Sequence, residues 1–143
     1  MTLRGLTAGV LVGVLGLAAL AAAFTIERYT VGQVRAFLSA HPESLPVSAN
    51  QAMLGLLVLT LWIGLIYAAV FEQAYPHSIS PARAISFGTL HWLGVAVPAL
   101  ALALLWTGLP PAGLAAVLLG WMIELVGGSF LLARLLKLEK HIS

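Results

Sequence analysis

Residues 112–132 have the sequence AGLAAVLLGWMIELVGGSFLL, in which Glu124 is the only ionisable side chain. A transmembrane helix needs about 20 predominantly apolar residues, because each residue advances a helix by about 1.5 Å across about 30 Å of hydrocarbon. A lone segment in lipid must be helical, since lipid satisfies no backbone N–H or C=O group. This stretch therefore predicts a membrane-spanning helix.

Three further stretches of similar length and apolarity precede it, at residues 6–24, 52–71 and 84–106. Of the 143 residues, 61% are hydrophobic and 8% are charged, whereas soluble domains are about 45–50% apolar and about 25% charged. A chain this short has too small a core to hide so much apolar surface from water. The sequence predicts an all-α membrane protein, an antiparallel bundle of four transmembrane helices that forms a single domain over residues 1–143.

Helix-boundary residues flank these stretches. Residues 48–51 (SANQ) have the pattern of a capping box before the second helix, and Ser80 with Pro81 supplies a capping hydroxyl and a first-turn proline before the third. Pro110 and Pro111 allow the fourth helix to begin almost at once after the third. The third and fourth helices are therefore predicted to form an antiparallel hairpin.

The first connection, residues 25–47, is the longest. Residues 30–33 (TVGQ) have a capping-box pattern, and the apolar side chains that follow share one helical face: Val31, Val34 and Leu38. This pattern predicts a short amphipathic helix at about residues 31–40 that lies on the membrane interface. An ordinary polar loop is the alternative.

The Lys and Arg residues are distributed unequally between the two ends of the predicted bundle. One side holds two, Arg28 and Arg35, and the other holds five: Arg4, Arg83, Arg134, Lys137 and Lys140. Positive residues are enriched in cytoplasmic loops. Both termini are therefore predicted to be cytoplasmic, in a bacterial cytoplasmic membrane.

The first apolar stretch also has features of a signal peptide. Arg4 precedes it, and the small residues at positions 19 and 21, or at 21 and 23, resemble a cleavage site. The apolar stretch is longer than the usual core of about 7–15 residues, so a retained membrane anchor is the favoured interpretation.

Small residues recur at helical spacing in three of the predicted helices. The stripes are Gly5, Gly9, Gly13 and Gly16; Thr60, Gly64 and Ala68; and Ala116, Gly120 and Gly128. In lipid, small residues allow the close backbone approach that holds helices together. The stripes indicate helix packing, either within this chain or, for the first stripe above all, against another chain.

Glu124 is a candidate functional residue because it lies near the middle of the fourth helix. A charge at that depth costs about 2.5–3.5 kcal/mol on insertion scales. Its spacing from Gly120 and Gly128 places it on the small-residue face, which is expected to face the bundle or a partner. No Lys or Arg occurs in the four stretches, so we expect a neutral carboxyl. One alternative is a functional role, in which Glu124 carries a proton, contacts a ligand or holds two subunits together. The other is a structural role, in which the carboxyl forms a hydrogen bond to a neighbouring helix.

His91 is the second candidate. Gly88 and Gly94 leave room beside it, and Pro98 removes the helical donor for the Gly94 carbonyl and is expected to kink the helix. Such a histidine either binds a haem, pigment or quinone, or forms a hydrogen bond between helices. The antiparallel hairpin predicts that Glu124 lies level with about residue 95 or 96, so a direct pair with His91 is not expected.

Residues 84–92 (AISFGTLHW), the mid-helix Pro98 and the Trp- and Gly-bearing fourth helix resemble the broad group of small uncharacterised bacterial four-helix integral membrane proteins. The resemblance implies no reaction, cofactor or partner.

The sequence contains no recognisable catalytic or metal-binding motif, no cysteine, and a net charge of only +2 that does not indicate nucleic acid binding. No cofactor is required by the sequence. The leading hypothesis is a non-enzymatic accessory or structural subunit of a larger membrane assembly, in contact with the bilayer and with a protein partner or further copies of itself. The alternatives are a small proton-linked carrier that uses Glu124 and a haem-, pigment- or quinone-binding subunit that uses His91.

Overall fold

The predicted all-α fold is confirmed by a computed structural model, which describes residues 2–41, 49–75, 79–107 and 110–137. The described residues form helices and no strands. Within these ranges, four helices are long and apolar enough to cross a membrane, and we call them the first to fourth spans: Leu3–Thr30, Leu54–Ala74, Pro81–Leu102 and Pro111–Leu136. The elements are α1 (Leu3–Thr30), α2 (Gln33–Ala40), α3 (Ala49–Ala74), α4 (Pro81–His91), a π-helical turn (Trp92–Ala96), α5 (Val97–Thr107), α6 (Pro111–Met122), a second π-helical turn (Ile123–Gly127) and α7 (Gly128–Lys137).

The helices extend beyond the apolar stretches that predicted them. The first was expected over residues 6–24, but α1 begins at Leu3, with the Thr2 hydroxyl accepting a hydrogen bond from the Gly5 N–H, and ends at Thr30. Polar residues continue the helix outside the apolar stretch; the Thr25 hydroxyl, for example, donates to the Ala21 carbonyl at 2.7 Å. The apolar residues mark only the part of the helix that suits lipid, and the backbone hydrogen bonds of the helix continue beyond the apolar stretch.

The short helix of the first connection is present, but the predicted capping box at residues 30–33 is wrong. Thr30 still belongs to α1, where its hydroxyl donates to the Ile26 carbonyl. The residue before α2 is Gly32, with a φ of 67° that favours glycine, and it makes no side-chain cap. The carboxylate of Glu27 caps α2 instead, accepting a hydrogen bond from the Val34 N–H at 3.0 Å.

The orientation of α2 follows from this cap. Val31 lies outside α2 and is exposed, whereas the side chains of Val34 and Leu38 are half-buried. A Cβ atom built on Gly113 of α6 would lie 2.8 Å from Cγ2 of Val34. α2 therefore packs across the ends of α1 and α6.

The other boundary predictions concern the second, third and fourth helices. The Ser80 hydroxyl accepts a hydrogen bond from the Arg83 N–H and Pro81 is the first residue of α4, as predicted. Pro110 precedes α6 and Pro111 begins it, also as predicted. In the capping box predicted at residues 48–51, the capping residue 48 lies outside the described residues, and α3 begins at Ala49.

Two π-helical turns interrupt the third and fourth spans. The first, Trp92–Ala96, ends two residues before Pro98, where the sequence predicted a kink. A π turn pairs a carbonyl with the N–H five residues further on, as the Trp92 carbonyl and the Val97 N–H do here. The second, Ile123–Gly127, contains Glu124 and has no proline beside it. π turns are frequent at functional sites.

α1 lies against both α3 and the fourth span through its glycines. On the α3 side, a Cβ atom on Gly9 would lie 3.0 Å from the Cα of Leu65, and one on Gly64 would lie 2.5 Å from the backbone N of Gly13. On the other side, Gly120 lies against Leu20 and Gly128 lies against Val12. Residue numbers rise along α1 as they fall along both neighbours, so α1 is antiparallel to each. The first stripe is covered from within the chain.

The third and fourth spans form the predicted hairpin, but in a different register. A Cβ atom on Gly88 would lie 2.5 Å from the Leu125 carbonyl oxygen and 2.7 Å from the Cα of Val126. The antiparallel residue level with Glu124 is therefore close to Leu90, not 95 or 96. The estimate from the sequence assumed that the two helices begin level at the turn, whereas the close contact at Gly88 determines the register.

Candidate functional site

Glu124 is fully buried, with 0% of its surface exposed. Its carboxyl group faces α1 at Gly16, where the carboxyl carbon and Oε2 occupy the space that a Cβ atom would need. Any larger residue at position 16 would overlap with this carboxyl group. The last glycine of the first stripe thus forms the wall of the Glu124 site.

Neither carboxyl oxygen of Glu124 has a hydrogen-bond partner among the described residues. The indole Nε1 of Trp121, one helical turn earlier, is also buried and unpartnered there. A buried polar group without a partner costs about 1–3 kcal/mol. The predicted alternative in which Glu124 bonds to a neighbouring helix is not seen within the described ranges.

Glu124 differs in this respect from the other buried polar side chains of the described residues. Thr60 donates to the Leu56 carbonyl at 2.8 Å, and Ser129 donates to the Leu125 carbonyl at 2.8 Å. Glu27 accepts from the backbone of α2. These side chains use a nearby backbone group, which is the usual solution for a hydroxyl in a helix, and Glu124 does not.

A buried hydroxyl pair joins α3 to α7 near this site. The Tyr67 hydroxyl lies within hydrogen-bond distance of the Ser129 hydroxyl, which in turn bonds to the Leu125 carbonyl. The sequence did not identify this pair, because the two residues are 62 positions apart and each is ordinary in a membrane helix. The pair fixes the position of the fourth span directly after the π turn that carries Glu124.

His91 lies in an aromatic cluster between the second and third spans. Its Nδ1 is 3.0 Å from the Phe87 carbonyl oxygen of its own helix. Its ring centroid is 4.1 Å from that of Phe87 and 5.6 Å from that of Tyr67. The space beside Gly88 is filled by the fourth span, whereas Gly94 has nothing within 4 Å of a Cβ position.

Glu124 and His91 are nearly level in the bundle but are not bonded to each other. The Glu124 oxygens have no partner in the described ranges, and Nδ1 of His91 is directed to its own helix. Glu124 faces α1, whereas His91 faces the aromatic side chains of α3 and α4. The two candidates therefore belong to separate sites.

A hydrogen bond connects the first π turn to α6. Trp92 donates from its indole Nε1 to the Leu118 carbonyl at 3.0 Å. An apolar groove of about 300 Å³ lies beside this bond and is lined by Thr89, Trp92, Met122, Ile123, Val126 and Gly127. Nothing in the sequence marks Trp92 as the residue that links the first π turn to α6.

Glu72 closes the bundle at the end that holds the start of α1. Its carboxylate accepts a hydrogen bond from the Thr2 hydroxyl at 2.6 Å and one from the Thr2 N–H at 3.3 Å. It also fills the space beside Gly5, so Gly5 is packed against a carboxylate. Glu72 satisfies the first turn of α1 from the end of α3.

No group of three or more His, Cys, Asp or Glu side chains in the described ranges is arranged to hold a metal ion. The chemistry of the site therefore depends on one carboxyl group among apolar side chains and glycine backbone. Such a group can take up or release a proton, or accept hydrogen bonds from a small polar ligand.

The chain matches no protein-family model, no curated protein and no solved structure.

Proposed function

We propose that this chain is a small proton-linked membrane carrier in which Glu124 binds and releases the proton. The observation that supports this proposal is the complete burial of a carboxyl group with no partner for either oxygen in the described residues. A residue kept only for packing would be better served by an apolar side chain of similar size, because it would avoid the cost of the unsatisfied oxygens. Ionisable residues at this depth are functional by default.

The site has features that suit reversible protonation. The neutral carboxyl is the form that fits the closed bundle, because the predicted apolar spans contain no Lys or Arg to neutralise a carboxylate. On release, the proton leaves a carboxylate that needs water or a cation. The π turn at Ile123–Gly127 carries Glu124 on backbone that is not regular α-helix, which favours a local change of helix geometry.

The test is proton movement in proteoliposomes that contain a pH-sensitive dye. An imposed ion or pH gradient should produce proton flux with the parent protein, and Glu124→Gln should abolish this flux while the helical content is retained. Glu72→Gln is the matched control, because it makes the same chemical change at a carboxylate that has hydrogen bonds from Thr2. Equal flux with Glu124→Gln and the parent, or no flux with the parent, would contradict the proposal.

The second candidate is the accessory subunit, which a different observation favours. The third span exposes Gly94, Pro98 and Ala101, and nothing lies within 4 Å of a Cβ position at Gly94. The other small-residue stripes of the chain are covered by a neighbouring helix, and this surface has the character of one that receives a transmembrane helix of another chain.

This second candidate predicts a partner that depends on Gly94. After gentle-detergent purification, Gly94→Leu should remove a stoichiometric partner that Gly55→Leu retains. Gly55 is the matched control because it is also an outward glycine with nothing within 4 Å. A partner retained by both variants would contradict a role of this surface.

The haem-, pigment- or quinone-binding hypothesis gains no observation in its favour from the described residues. The wall of the His91 site on the Gly88 side is occupied by the fourth span, and the ring packs against aromatic side chains. An absorption spectrum of the purified protein tests it directly.

A further inference from the structure

A groove of about 600 Å³ lies between the end of α1 and α2, far from Glu124 along α1. Its apolar wall is formed by Phe24, Val34 and Leu38. Two arginines, Arg28 and Arg35, line the same groove. The groove is therefore apolar on one part and cationic on another.

Both arginines are available to a ligand. Their side chains are exposed, and neither forms an ion pair within the described residues. The contact that Arg28 makes is with the ring of Tyr29, at 5.9 Å from the centroid. Glu27, the acidic residue in the groove, is buried and has one oxygen engaged by the Val34 N–H. The lining of the groove thus includes two positively charged residues and one carboxylate, and that carboxylate caps α2.

The position of the groove indicates which anion it fits. Arg28 and Arg35 are the two Lys or Arg residues on this side of the predicted bundle, and both line the groove. The groove lies where the apolar part of α1 ends and polar residues begin, which is the depth of the boundary between hydrocarbon and headgroups. Arginine binds phosphate oxygens through paired N–H donors.

We propose that this groove binds an anionic phospholipid. The phosphodiester is held by the guanidinium groups of Arg28 and Arg35, and an acyl chain lies along Phe24, Val34 and Leu38. The bound lipid connects α2 to α1 and holds the short helix at the membrane surface. This site is independent of the proton chemistry proposed for Glu124.

The experiment uses the full chain reconstituted in vesicles of equal parts phosphatidylglycerol and phosphatidylcholine, with a trace of one photoactivatable lipid. With photoactivatable phosphatidylglycerol, cross-links should map to residues 24–39. Arg28→Gln with Arg35→Gln should reduce these cross-links about tenfold or more, since hydrogen bonds to charged groups are each worth about a tenfold change or more in affinity. The control is Arg83→Gln with Arg134→Gln, which makes the same charge change at the opposite end and should leave them unchanged.

Two further arms use the parent protein and need no variant. Photoactivatable phosphatidylcholine should label residues 24–39 much less than phosphatidylglycerol does. Excess inorganic phosphate should fail to displace the lipid. Equal labelling by the two lipids would overturn the proposal. Displacement by phosphate at low concentration would also overturn it, because it would show that the groove binds a soluble anion.

Discussion

The contact between α1 and α3 gives a sharp prediction, because backbone meets backbone at Gly64. A Cβ atom there would lie 2.5 Å from the backbone N of Gly13, 2.6 Å from the Gly9 carbonyl oxygen and 2.8 Å from the Cα of Gly13. The atoms that Gly64→Ala would press against are helix backbone and cannot rotate away. We therefore expect the two helices to separate.

The size of the effect follows from these distances. Ordinary contact for a Cβ begins at about 3.4 Å, so the helices must move apart by about 1 Å, a gap that forfeits about a quarter to a half of each dispersion contact along the stripe. Overpacking of this kind costs about 1–3 kcal/mol. Gly55→Ala is the control, because nothing lies within 4 Å of its Cβ position. In that variant the helix propensity of alanine, which is higher than that of glycine, favours the folded state by up to about 1 kcal/mol.

The assay is unfolding in mixed micelles of increasing denaturing detergent, followed by circular dichroism. The two variants should differ in unfolding free energy by about 1–3 kcal/mol, the cost of overpacking, because both replace a glycine of α3 by alanine and the gain in helix propensity cancels. If Gly64→Ala is as stable as Gly55→Ala, then α1 and α3 do not meet at this glycine, and the packing described for α1 is refuted.

Four other outcomes are expected. Gly9→Leu and Gly13→Leu should reduce folded protein in membranes, measured by the yield of monodisperse protein in mild detergent, and parental yields would contradict the packing of the first stripe. Glu124→Gln should keep the stability of the parent, whereas Glu124→Met should increase the unfolding free energy by about 1–3 kcal/mol by removing the unpartnered oxygens; a less stable Met variant would show that the carboxyl has a partner. Tyr67→Phe should cost about 0.6–1.7 kcal/mol in the same assay, the range for hydrogen bonds between membrane helices, and no loss would show that the Ser129 contact is not stabilising. Reporter fusions should place both termini in the cytoplasm, and termini on opposite sides would contradict an even number of crossings.

The four helices could be predicted from the sequence because lipid imposes a simple condition on length and apolarity. The ends of the helices could not be predicted in the same way. α1 continues to Thr30 because polar side chains there form hydrogen bonds within the helix, as the Thr30 hydroxyl does with the Ile26 carbonyl. The sequence assigns the cap of α2 to Thr30 because residues 30–33 match the local pattern of a capping box. Glu27 provides the cap instead, and it lies seven residues before Val34, from whose N–H it accepts a hydrogen bond. This cap could be predicted only if it were known that α1 extends far enough to place Glu27 beside the start of α2.

The candidate site was predictable in part for a similar reason. Spacing from Gly120 and Gly128 placed Glu124 on the face that packs inward, and the structure has it fully buried. The helix against which Glu124 packs was not predictable, because three helices carry small-residue stripes and the spacing does not distinguish between them. The pairing of Glu124 with Gly16 depends on the register between α1 and the fourth span, which is determined by contacts such as Val12 with Gly128.

The isolation of Glu124 has a chemical cause that concerns donors. The neutral carboxyl has one O–H donor, but its other oxygen only accepts hydrogen bonds, as both oxygens of a carboxylate do. The backbone N–H groups within a regular helix are already used, so these acceptor oxygens need a side-chain donor or water. Thr60 and Ser129 avoid the problem because a hydroxyl can donate to a carbonyl of its own helix. The indole of Trp121, one turn away on the same span, is a buried donor that also has no partner within the described residues. An unpartnered donor and an unpartnered acceptor are complementary, and water admitted near the π turn would satisfy both. Ionisation of Glu124 and entry of water at this point are therefore expected to occur together.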